Sequence, residues 1–487
     1  MVLGCGSVEQ GEVTLAVEPA SVFFRRGETA MVQVTAADAK KAVAITATGL
    51  PPGVTADALE LDGAAPGTLV LHADATATQG AANITVEADV GGTAGFRVLV
   101  GGPPGTLDES FGDGGKIVTT LPGVALVGRG LSLDGSNVIV TGVNTGQGQS
   151  VTMKFDERGQ PDASFGTNGI VSTGVGMFSE GLAIVATASN LVVAGVANGN
   201  AVDDDDFGLF GYTRDGVLDT TFGASGVTTI NPSTGTFAEY HAVVAAPDGT
   251  IYAVGPVFGS STLSIAHKFS SHGITDPAFS VSESGAVAQS AVLQADGKLV
   301  LGGVQSSQMW LARYNPDGTR DPGFGSGGIV TTSFAPESVG GTGFGLVQVA
   351  GGKLFAVSTT VTNPRIILAR YNANGSLDLT FGIGGKITTD VVFSSRSLGA
   401  AVIDGDGRVV TVGLANMQPA IARVNADGTA DATFATAGIA AIDFGVAGTN
   451  TKTGAYGVVA DPDGRLLFTG EVGAAGSQRL IVARVWP

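Results

Sequence analysis

A phrase built around phenylalanine recurs seven times along the chain and constrains the fold more than any other feature. Its copies read LDESFGDGG, PDASFGTNG, LDTTFGASG, TDPAFSVSE, RDPGFGSGG, LDLTFGIGG and ADATFATAG. The phenylalanines are spaced by 54, 57, 57, 45, 57 and 53 residues and are Phe111, Phe165, Phe222, Phe279, Phe324, Phe381 and Phe434. A period of about 55 residues with several strands per unit predicts a β-propeller in which each unit is a blade.

Each unit contains four short strand patterns. After Phe381 they read KITTDVV, LGAAVIDG, RVVTVGL and PAIARVNADG. Asp-Gly joins the second to the third, and this dipeptide accepts the positive φ angles of a type I′ hairpin. We therefore predict seven four-stranded antiparallel blades over residues 106–487. The unit after Phe279 is about ten residues shorter than its neighbours, which predicts an incomplete or irregular blade.

Composition supports an all-β chain. Glycine accounts for 76 of 487 residues, and charged residues make up 14% against about 25% in an average soluble domain. Turns are therefore abundant and long salt-bridged helices are disfavoured. A hydrophobic content of 44% is too high for a disordered glycine-rich chain.

Residues 12–100 have a different pattern, without the repeat. Seven short stretches alternate apolar and polar residues: EVTLAVEP, SVFFRRG, AMVQVTAA, AVAITATG, GTLVLHADA, AANITVEAD and FRVLV. Such strands predict a small β-sandwich, and GLPPGVTA with the strands after it resembles bacterial Ig-like domains. We expect a spacer rather than a ligand-binding domain, followed by a Gly/Pro linker at residues 101–105.

The single cysteine, Cys5, follows Val-Leu-Gly. This run resembles the lipobox of bacterial lipoproteins, in which the cysteine carries the lipid. The resemblance implies that residues 1–11 are a lipidated N-terminus and tether, and that the protein is exported to the outer membrane or cell surface. A chance cysteine at the terminus is the alternative.

Net charge limits the partners. The chain carries a formal charge of −18, which repels nucleic acid and anionic lipid headgroups. No run of 18 apolar residues is present, so we expect contact with a membrane only through a lipid anchor. One cysteine and four histidines provide neither a disulfide framework nor a typical structural zinc site.

The turn after the fourth strand carries a further resemblance. The segments ARYNPDGTRDPGFGSGGIV and ARYNANGSLDLTFGIGGKI resemble the delta-60 repeat family of bacterial proteins. The resemblance covers the chain from Leu107 onward and implies a repeat architecture and an exported protein. It implies no established activity.

An aspartate precedes each recurring phenylalanine by three residues. These residues are Asp108, Asp162, Asp219, Asp276, Asp321, Asp378 and Asp431. A catalytic group is needed once, whereas this one is present in every unit, so we predict that it stabilises the turn through backbone N–H bonds. Fourth strands also carry a cation expected to pair with these aspartates, at Lys154, Lys268, Arg313, Arg370, Arg423 and Arg484, with Gly211 as the exception.

The seven phenylalanines are predicted to form the core between blades. Sugar-stacking aromatic residues are the alternative, but carbohydrate platforms favour tryptophan and the chain has only Trp310 and Trp486. The scarcity of tryptophan also argues against the tryptophan-rich classes of propeller.

Two groups of oxygen-bearing residues raise the question of calcium. Asn315, Asp317 and Asp321 alternate along one turn, but the final glutamate of an EF-hand loop is missing. The run Asp203, Asp204, Asp205 and Asp206 is predicted to lie in a loop, as solvated charge or as a metal site. We expect no cofactor, with calcium as the alternative.

The loops suggest which surface binds a partner. Those joining strands two to three and four to one are short and uniform, whereas those on the opposite face vary, as in NTGQGQS, ANGNAVDDDDFG and EVGAAGSQR. Variable loops on a constant scaffold are typical of recognition surfaces. We therefore expect a monomeric, non-enzymatic binding or scaffold protein that contacts a protein or glycan at the cell surface.

The alternative function is a hydrolase or lyase that acts on polysaccharide through carboxylates in the propeller channel. His241 would be its acid or base. A histidine at the edge of a strand is the other interpretation of that residue. The sequence identifies no catalytic residue and favours a protein that is not an enzyme.

Overall fold

The computed structural model describes residues 12–119, 124–198, 205–233, 235–340, 343–393, 398–446 and 451–487. Within these ranges the chain forms 38 β-strands, one short 3-10 helix (Ala350–Gly352) and no α-helix. The prediction of an all-β chain is confirmed. The described residues fall into two compact units, one reaching Gly115 and including Trp486, the other covering Lys116–Val485 with Pro487. The first copy of the phrase, with Asp108 and Phe111, therefore groups with the first unit.

The first unit is a sandwich of two sheets, with strand orders β1-β3-β7-β5 and β2-β9-β8-β4-β6. Its strands are β1 Thr14–Glu18, β2 Ser21–Arg25, β3 Thr29–Ala37, β4 Val43–Thr48, β5 Val54–Ala56, β6 Leu59–Leu61, β7 Gly67–Ala73, β8 Gly80–Ala88 and β9 Thr93–Gly101. Side chains such as Val34, Leu71 and Val98 come from both sheets into one buried core. The sequence pattern had missed β5 and β6, because three residues are too few to show an alternation.

The second unit begins with β10 and continues through strands of two to ten residues. They are β10 Lys116–Val118, β11 Leu126–Asp134, β12 Asn137–Asn144, β13 Gln149–Phe155, β14 Ile170–Thr173, β15 Ser179–Ala186, β16 Leu191–Asn198, β17 Asp205–Tyr212, β18 Val227–Ile230, β19 Phe237–Ala238, β20 Ala242–Ala245, β21 Ile251–Phe258, β22 Thr262–Phe269, β23 Val281–Ser284 and β24 Ala286–Leu293.

The remaining strands continue with similar lengths and spacing to the end of the chain. They are β25 Leu299–Gln305, β26 Gln308–Tyr314, β27 Ile329–Thr332, β28 Gly345–Gln348, β29 Leu354–Thr359, β30 Arg365–Tyr371, β31 Lys386–Val392, β32 Ala401–Ile403, β33 Val409–Ala415, β34 Gln418–Val424, β35 Ile439–Ala441, β36 Thr451–Ala460, β37 Leu466–Ala474 and β38 Arg479–Val485.

These strands pair in antiparallel groups of four. The groups β11-β12-β13-β14, β24-β25-β26-β27, β28-β29-β30-β31 and β32-β33-β34-β35 are separate sheets. The groups β15 to β18 and β20 to β23 are joined into one larger sheet by the two-residue strand β19. The last group has the order β10-β38-β37-β36, so a strand from the start of the unit completes a sheet made by its end.

The grouping of strands corrects the sequence prediction. The pattern KITTDVV, assigned there as the first strand of its unit, is β31 and pairs with β30 of the preceding unit. Each repeat therefore supplies the outer strand of one sheet and the three other strands of the next. Sequence order does not show this offset. The turn around the recurring phenylalanine folds β31 back onto β30, whereas the connection from β31 to β32 crosses to another sheet.

The short unit after Phe279 is complete. Its strands β24, β25 and β26 form a four-stranded sheet with β27, so the predicted incomplete blade is absent. The missing residues come from the connection between sheets, where Gly285 alone separates β23 from β24.

In the second unit, the last sheet contacts the first through the same kind of hydrogen bond that links the first sheet to the second. Nζ of Lys154, on β13, donates to the carbonyl of Arg214 in the turn after β17 at 3.2 Å. Nη1 of Arg484, on β38, donates to the carbonyl of Glu157 in the turn after β13 at 2.6 Å. The last sheet thus contacts the first as the first contacts the second, and β36 packs against β11.

Candidate functional site

The aspartate of the recurring phrase uses its two oxygens differently. In Asp378, Oδ1 accepts the backbone N–H of Thr380 at 3.1 Å and its hydroxyl at 2.7 Å, which closes the turn. Oδ2 accepts Nε of Arg370 at 2.8 Å. The N–H bond to Oδ1 recurs at Asp108, Asp162, Asp219, Asp276, Asp321 and Asp431. One carboxylate therefore joins a turn to the strand beside it.

Five of the six predicted cations reach these aspartates, and they lie on the third strand of each sheet once the outer strands are reassigned. The nitrogen–oxygen distances are 3.6, 3.1, 2.8, 2.8 and 2.8 Å in the pairs Lys154–Asp162, Lys268–Asp276, Arg313–Asp321, Arg370–Asp378 and Arg423–Asp431. The three arginines also lie over the phenylalanine of the same phrase, between 4.5 and 4.7 Å from the ring centroid. Each of these three arginines thus contacts both recurring residues.

A second cation, missed by the sequence analysis, reaches three of these aspartates. Nζ of Lys298 lies 3.0 Å from Asp321, and Nζ of Lys353 lies 2.7 Å from Asp378. Arg408 approaches Asp431 at 3.5 Å. All three residues follow the glycine of the hairpin between the first two strands of a sheet, and that shared position was the available signal.

The sheet that lacks a cation on its third strand compensates with an amide. Gly211 occupies the cation position, and a Cβ added there would lie 2.3 Å from Cγ of Phe222. In place of an ion pair, Nδ2 of Asn190 donates to Oδ2 of Asp219 at 2.9 Å. Asn190 occupies the same hairpin position as Lys298 and Lys353.

The recurring phenylalanines are core residues. All seven are at most 3% exposed. Part of this burial comes from the following sheet: a Cβ added to Gly375, whose φ is +82°, would lie 2.9 Å from ring atoms of Phe324. The N–H of Gly325 donates to the carbonyl of Asn374 in the same turn at 2.8 Å. Glycine suits this turn for two reasons, its positive φ and the close approach of the ring.

The predicted calcium candidates are placed as follows. Oδ1 of Asp317 accepts the N–H and the hydroxyl of Thr319, whereas Oδ2 of Asp321 pairs with Arg313, so these oxygens already support a turn and an ion pair. Asp205 and Asp206 open strand β17, which corrects their predicted loop position, because both residues pair with β16. Asp203 and Asp204 lie outside the described residues, as does Cys5. Among the described residues no group of three or more His, Cys, Asp or Glu side chains is arranged to hold a metal ion.

A cavity of about 490 Å³ lies where the first strands of the second unit's sheets meet. We call it the inner-strand cavity. Its lining comes from β11, β15, β20, β24, β28, β32 and β36 or from residues just before them. The lining includes six large polar side chains, namely Arg129, Glu180, Glu239, His241, Gln289 and Tyr456.

Arg129 is the centre of the polar lining. Its Nε donates to Oε1 of Glu180 at 2.8 Å, and its guanidinium lies 4.5 Å from the ring centroid of Tyr456. Burial acts to lower the pKa of Arg129, but Glu180 and the other neighbouring oxygens outweigh it and raise the pKa. Burial raises the pKa of Tyr456 to about 12. Both groups therefore stay protonated at neutral pH, and the Tyr456 hydroxyl bonds to Oε1 of Glu471 at 2.8 Å.

A second pair lies in the same cavity. Nε2 of His241 is 2.8 Å from Oε1 of Glu239. Burial acts to raise the pKa of Glu239, but the hydrogen bond and charge of His241, together with the charge of Arg129, lower it overall. Glu239 is therefore a carboxylate at neutral pH. The side chains of Glu239 and His241 are 33% and 23% exposed, so a ligand can reach both.

Irregularities in the strands present several of these residues to the cavity. The pairing of β11 with β12 skips Arg129, that of β24 with β25 skips Gln289, and that of β36 with β37 skips Tyr456. A bulge leaves one residue out of the ladder and redirects its side chain. The partner strand approaches closely here: a Cβ added to Gly142 would lie 1.8 Å from the carbonyl oxygen of Val127.

The polar lining lies nearer the variable loops than the uniform turns. In β11, Leu126 pairs with Asn144 at the edge of the variable NTGQGQS loop, and Asp134 pairs with Asn137 across the Asp-Gly turn at the other end. Arg129 is the fourth of nine residues in β11, and Glu180 is the second of eight in β15. His241 comes directly before β20, at the edge of the strand as one interpretation of the sequence had it, and it also lines the cavity.

Comparisons with known proteins support the propeller fold. Residues 294–324, 352–381 and 405–434 match the family model described as Domain of unknown function (DUF5122) beta-propeller. Each matched segment runs from near the Asp-Gly or Gly-Gly hairpin to the recurring phenylalanine. No curated protein matches this chain.

Similar solved structures are distant. A protein from Lactobacillus plantarum is 18% identical, with 61% of this chain and 80% of that one covered and a TM-score of 0.40. The tail fiber of Staphylococcus aureus phage P68 is 11% identical, with coverages of 51% and 50% and a TM-score of 0.29. A DUF4784 family protein from Bacteroides caccae is 8% identical, with coverages of 74% and 93% and a TM-score of 0.25. No helix in the described ranges is long and apolar enough to cross a membrane.

Proposed function

We propose that this chain is a non-enzymatic binding protein of the bacterial cell envelope, built as a seven-bladed propeller on an Ig-like spacer. The observation that carries the binding role is the inner-strand cavity, in which unique polar side chains stand on a repeated scaffold. Solvent-reachable polar groups that converge in one cavity are the usual basis of ligand recognition. The variable loops beside that cavity are the proposed contact surface for a protein or glycan.

The seven blades are supported by the sheet groups and by the recurring contacts between them. The contact of Arg484 with Glu157 repeats the contact of Lys154 with Arg214, which is expected of a closed ring of equal blades. The Ig-like assignment is supported by the two-sheet core and by the parallel pairing of β2 with β9. Membership of the delta-60 repeat family is proposed from the recurring phrase.

The charge states in the cavity favour binding over hydrolysis. Glycoside hydrolysis by two carboxyl groups requires one of them to be protonated at working pH, with a raised pKa. The pKa of Glu239 is instead lowered, chiefly by His241 acting against burial. Glu180 accepts a hydrogen bond from the charged Arg129. This arrangement suits stable hydrogen bonding to a ligand better than proton donation to a leaving group.

Capture experiments test the binding role. Immobilised protein is incubated with defined cell-wall polysaccharides and with purified surface proteins, with and without calcium, and both retention and release of reducing ends are measured. We expect retention of one class without release of reducing ends. Turnover would replace the proposal by the hydrolase, and absence of retention from every class would reject binding of cell-wall polysaccharides and surface proteins.

The proposed cellular location of the protein depends on Cys5 and is tested separately. We propose export and lipid attachment at Cys5 because Val-Leu-Gly precedes it. Metabolic labelling with a palmitate analogue and membrane fractionation should detect lipid on the native protein and lose it in Cys5→Ser. Equal labelling or equal membrane association of the two proteins would contradict the anchor.

A further inference from the structure

We infer that the inner-strand cavity binds a neutral polyhydroxylated ligand, of the size of a monosaccharide or small polyol. The inference rests on the proposed binding function and adds the chemical class of the ligand. It is carried by the inventory of hydrogen-bonding groups, by their charge pairing and by the shape of the lining.

The polar lining mixes donors and acceptors in one space. Arg129 offers only N–H donors, Glu180 and Glu239 offer only acceptors, and the amide of Gln289 offers both. A pure cation would leave the donors without partners, and a pure anion would leave the carboxylates without partners. A hydroxyl group donates and accepts at once, so a ligand with several hydroxyls can satisfy both kinds of group.

The charges of the cavity are paired within the protein. Arg129 bonds Glu180 at 2.8 Å and His241 bonds Glu239 at 2.8 Å. Each carboxylate of the lining therefore already has a cationic or hydrogen-bonding partner, and neither is left to bind a cationic ligand as its sole partner. The paired groups keep lone pairs and N–H bonds for further contacts, and Glu180 and Arg129 are still 13% and 29% exposed.

The remaining lining leaves room for a compact ligand. Its wall consists largely of small residues, among them Gly130, Ala183, Ala242 and Gly457. Leu182 and Phe344 supply apolar surface that can contact the C–H groups of a sugar ring. A volume of about 490 Å³ falls within the range of about 300–1,000 Å³ of small-molecule sites.

Titration calorimetry and saturation-transfer NMR test this assignment with defined probes. The panel contains neutral hexoses, pentoses and inositol, with glucosamine and glucuronate as charged analogues. We expect saturable binding of at least one neutral compound and at least tenfold weaker binding of its cationic and anionic analogues. Failure of all neutral compounds to bind, or tighter binding of a charged analogue, would overturn the inference.

Substitutions locate the binding. The double variant Arg129→Met/Glu180→Gln removes a cavity ion pair without changing net charge, and we expect about tenfold or greater loss of affinity from the lost charge-assisted bonds. The control Arg320→Met/Glu283→Gln removes an ion pair outside the cavity in the same way and should leave affinity unchanged. Gln289→Leu provides a second, milder cavity variant if the double variant unfolds.

The outcomes separate this inference from the proposed function. If the native protein, the double variant and Gln289→Leu bind the ligand with equal affinity, the cavity is not the binding site. Capture of a glycan or surface protein with no response to the small neutral panel would overturn the inference alone. Failure of both capture and panel would reject the binding function itself.

Discussion

Nε of Arg423 donates to Oδ2 of Asp431 at 2.8 Å, and the two side chains are only 1% and 6% exposed. This is the most deeply buried of the recurring ion pairs. Asp431 also accepts the N–H and hydroxyl of Thr433 through Oδ1. The same carboxylate therefore neutralises a buried cation and fixes the turn beside the recurring phenylalanine Phe434.

Two substitutions of Asp431 separate the effect of its charge from the effect of its hydrogen bonds to the turn. Asp431→Ala leaves a buried arginine without its closest carboxylate and should lower the free energy of unfolding by about 3–5 kcal/mol. Asp431→Asn keeps an oxygen for the Thr433 bonds but removes the charge, so we expect an intermediate loss. Urea denaturation of both variants provides the measurement. Equal stability of Asp431→Ala and the native protein would show that the recurring aspartates do not stabilise the sheets.

The contact of Gly375 with Phe324 is testable with a matched glycine. Both Gly375 and Gly384 have positive φ, but an added Cβ meets the Phe324 ring at 2.9 Å in the first case and nothing within 4 Å in the second. Gly384→Ala should cost about 1 kcal/mol from the backbone alone. Gly375→Ala should cost about 1–3 kcal/mol more because the ring must move. Similar melting temperatures for the two variants would contradict the packing of this turn against the phenylalanine.

The recurring aspartates predict a loss of stability in acid. The Lys353 and Thr380 hydrogen bonds hold the pKa of Asp378 below its usual value, and the pKa values of Asp162, Asp276 and Asp431 are also lowered. A carboxyl group with a lowered folded-state pKa stabilises the protein above pH 4 and loses this contribution as pH falls further. Melting temperature should therefore fall steeply below about pH 4.

Asp378→Asn provides the comparison for that acid transition. The variant lacks the titrating carboxyl group, so its melting temperature should fall less between pH 5 and pH 2 than that of the native protein. Asp390→Asn, which removes an exposed carboxylate from the same sheet, serves as the control. Parallel pH profiles for the native protein and Asp378→Asn would contradict the assignment.

A partly buried histidine predicts a separate transition at higher pH. Burial lowers the pKa of His267 to about 4, and its Nδ1 lies 2.6 Å from the Tyr240 hydroxyl. The unfolded chain takes up this proton near pH 6.5, so folding loses stability as pH falls from about 6.5 to 4, by roughly 3 kcal/mol. His267→Gln, which can still accept a hydrogen bond, should flatten the stability profile in this window. An unchanged profile would show that His267 does not control it.

Repetition made part of this structure predictable. The recurring aspartate and phenylalanine, the hairpin glycines and the cations paired with the aspartates each occur in most units, and a residue needed in every sheet is visible as a pattern. The predicted type I′ geometry of the Asp-Gly hairpins is wrong, because φ is positive at the glycine but not at the aspartate. The offset of β31 was hidden because sequence order does not reveal which neighbour a strand pairs with. The second cations, such as Lys298 and Lys353, were visible but lacked a recognised partner.

The inner-strand cavity could not be predicted in the same way. Arg129, Glu239, Gln289 and Tyr456 each occur once, so no repetition marks them. Their shared property is a position beside a bulge or at the start of an inner strand, which depends on pairing that only the structure reveals. An alignment of the inner strands by their hairpins would have shown different polar residues at equivalent positions, and this difference was the available signal for the cavity.

A crystal of the native protein soaked with the neutral compound that binds best tests the central claim most directly. We expect ligand density in the inner-strand cavity, with hydroxyl groups within hydrogen-bonding distance of Glu180, Glu239 or Gln289, and no such density in Arg129→Met/Glu180→Gln under the same conditions. Ligand density confined to other surfaces of the protein, with the cavity occupied only by water, would contradict the claim.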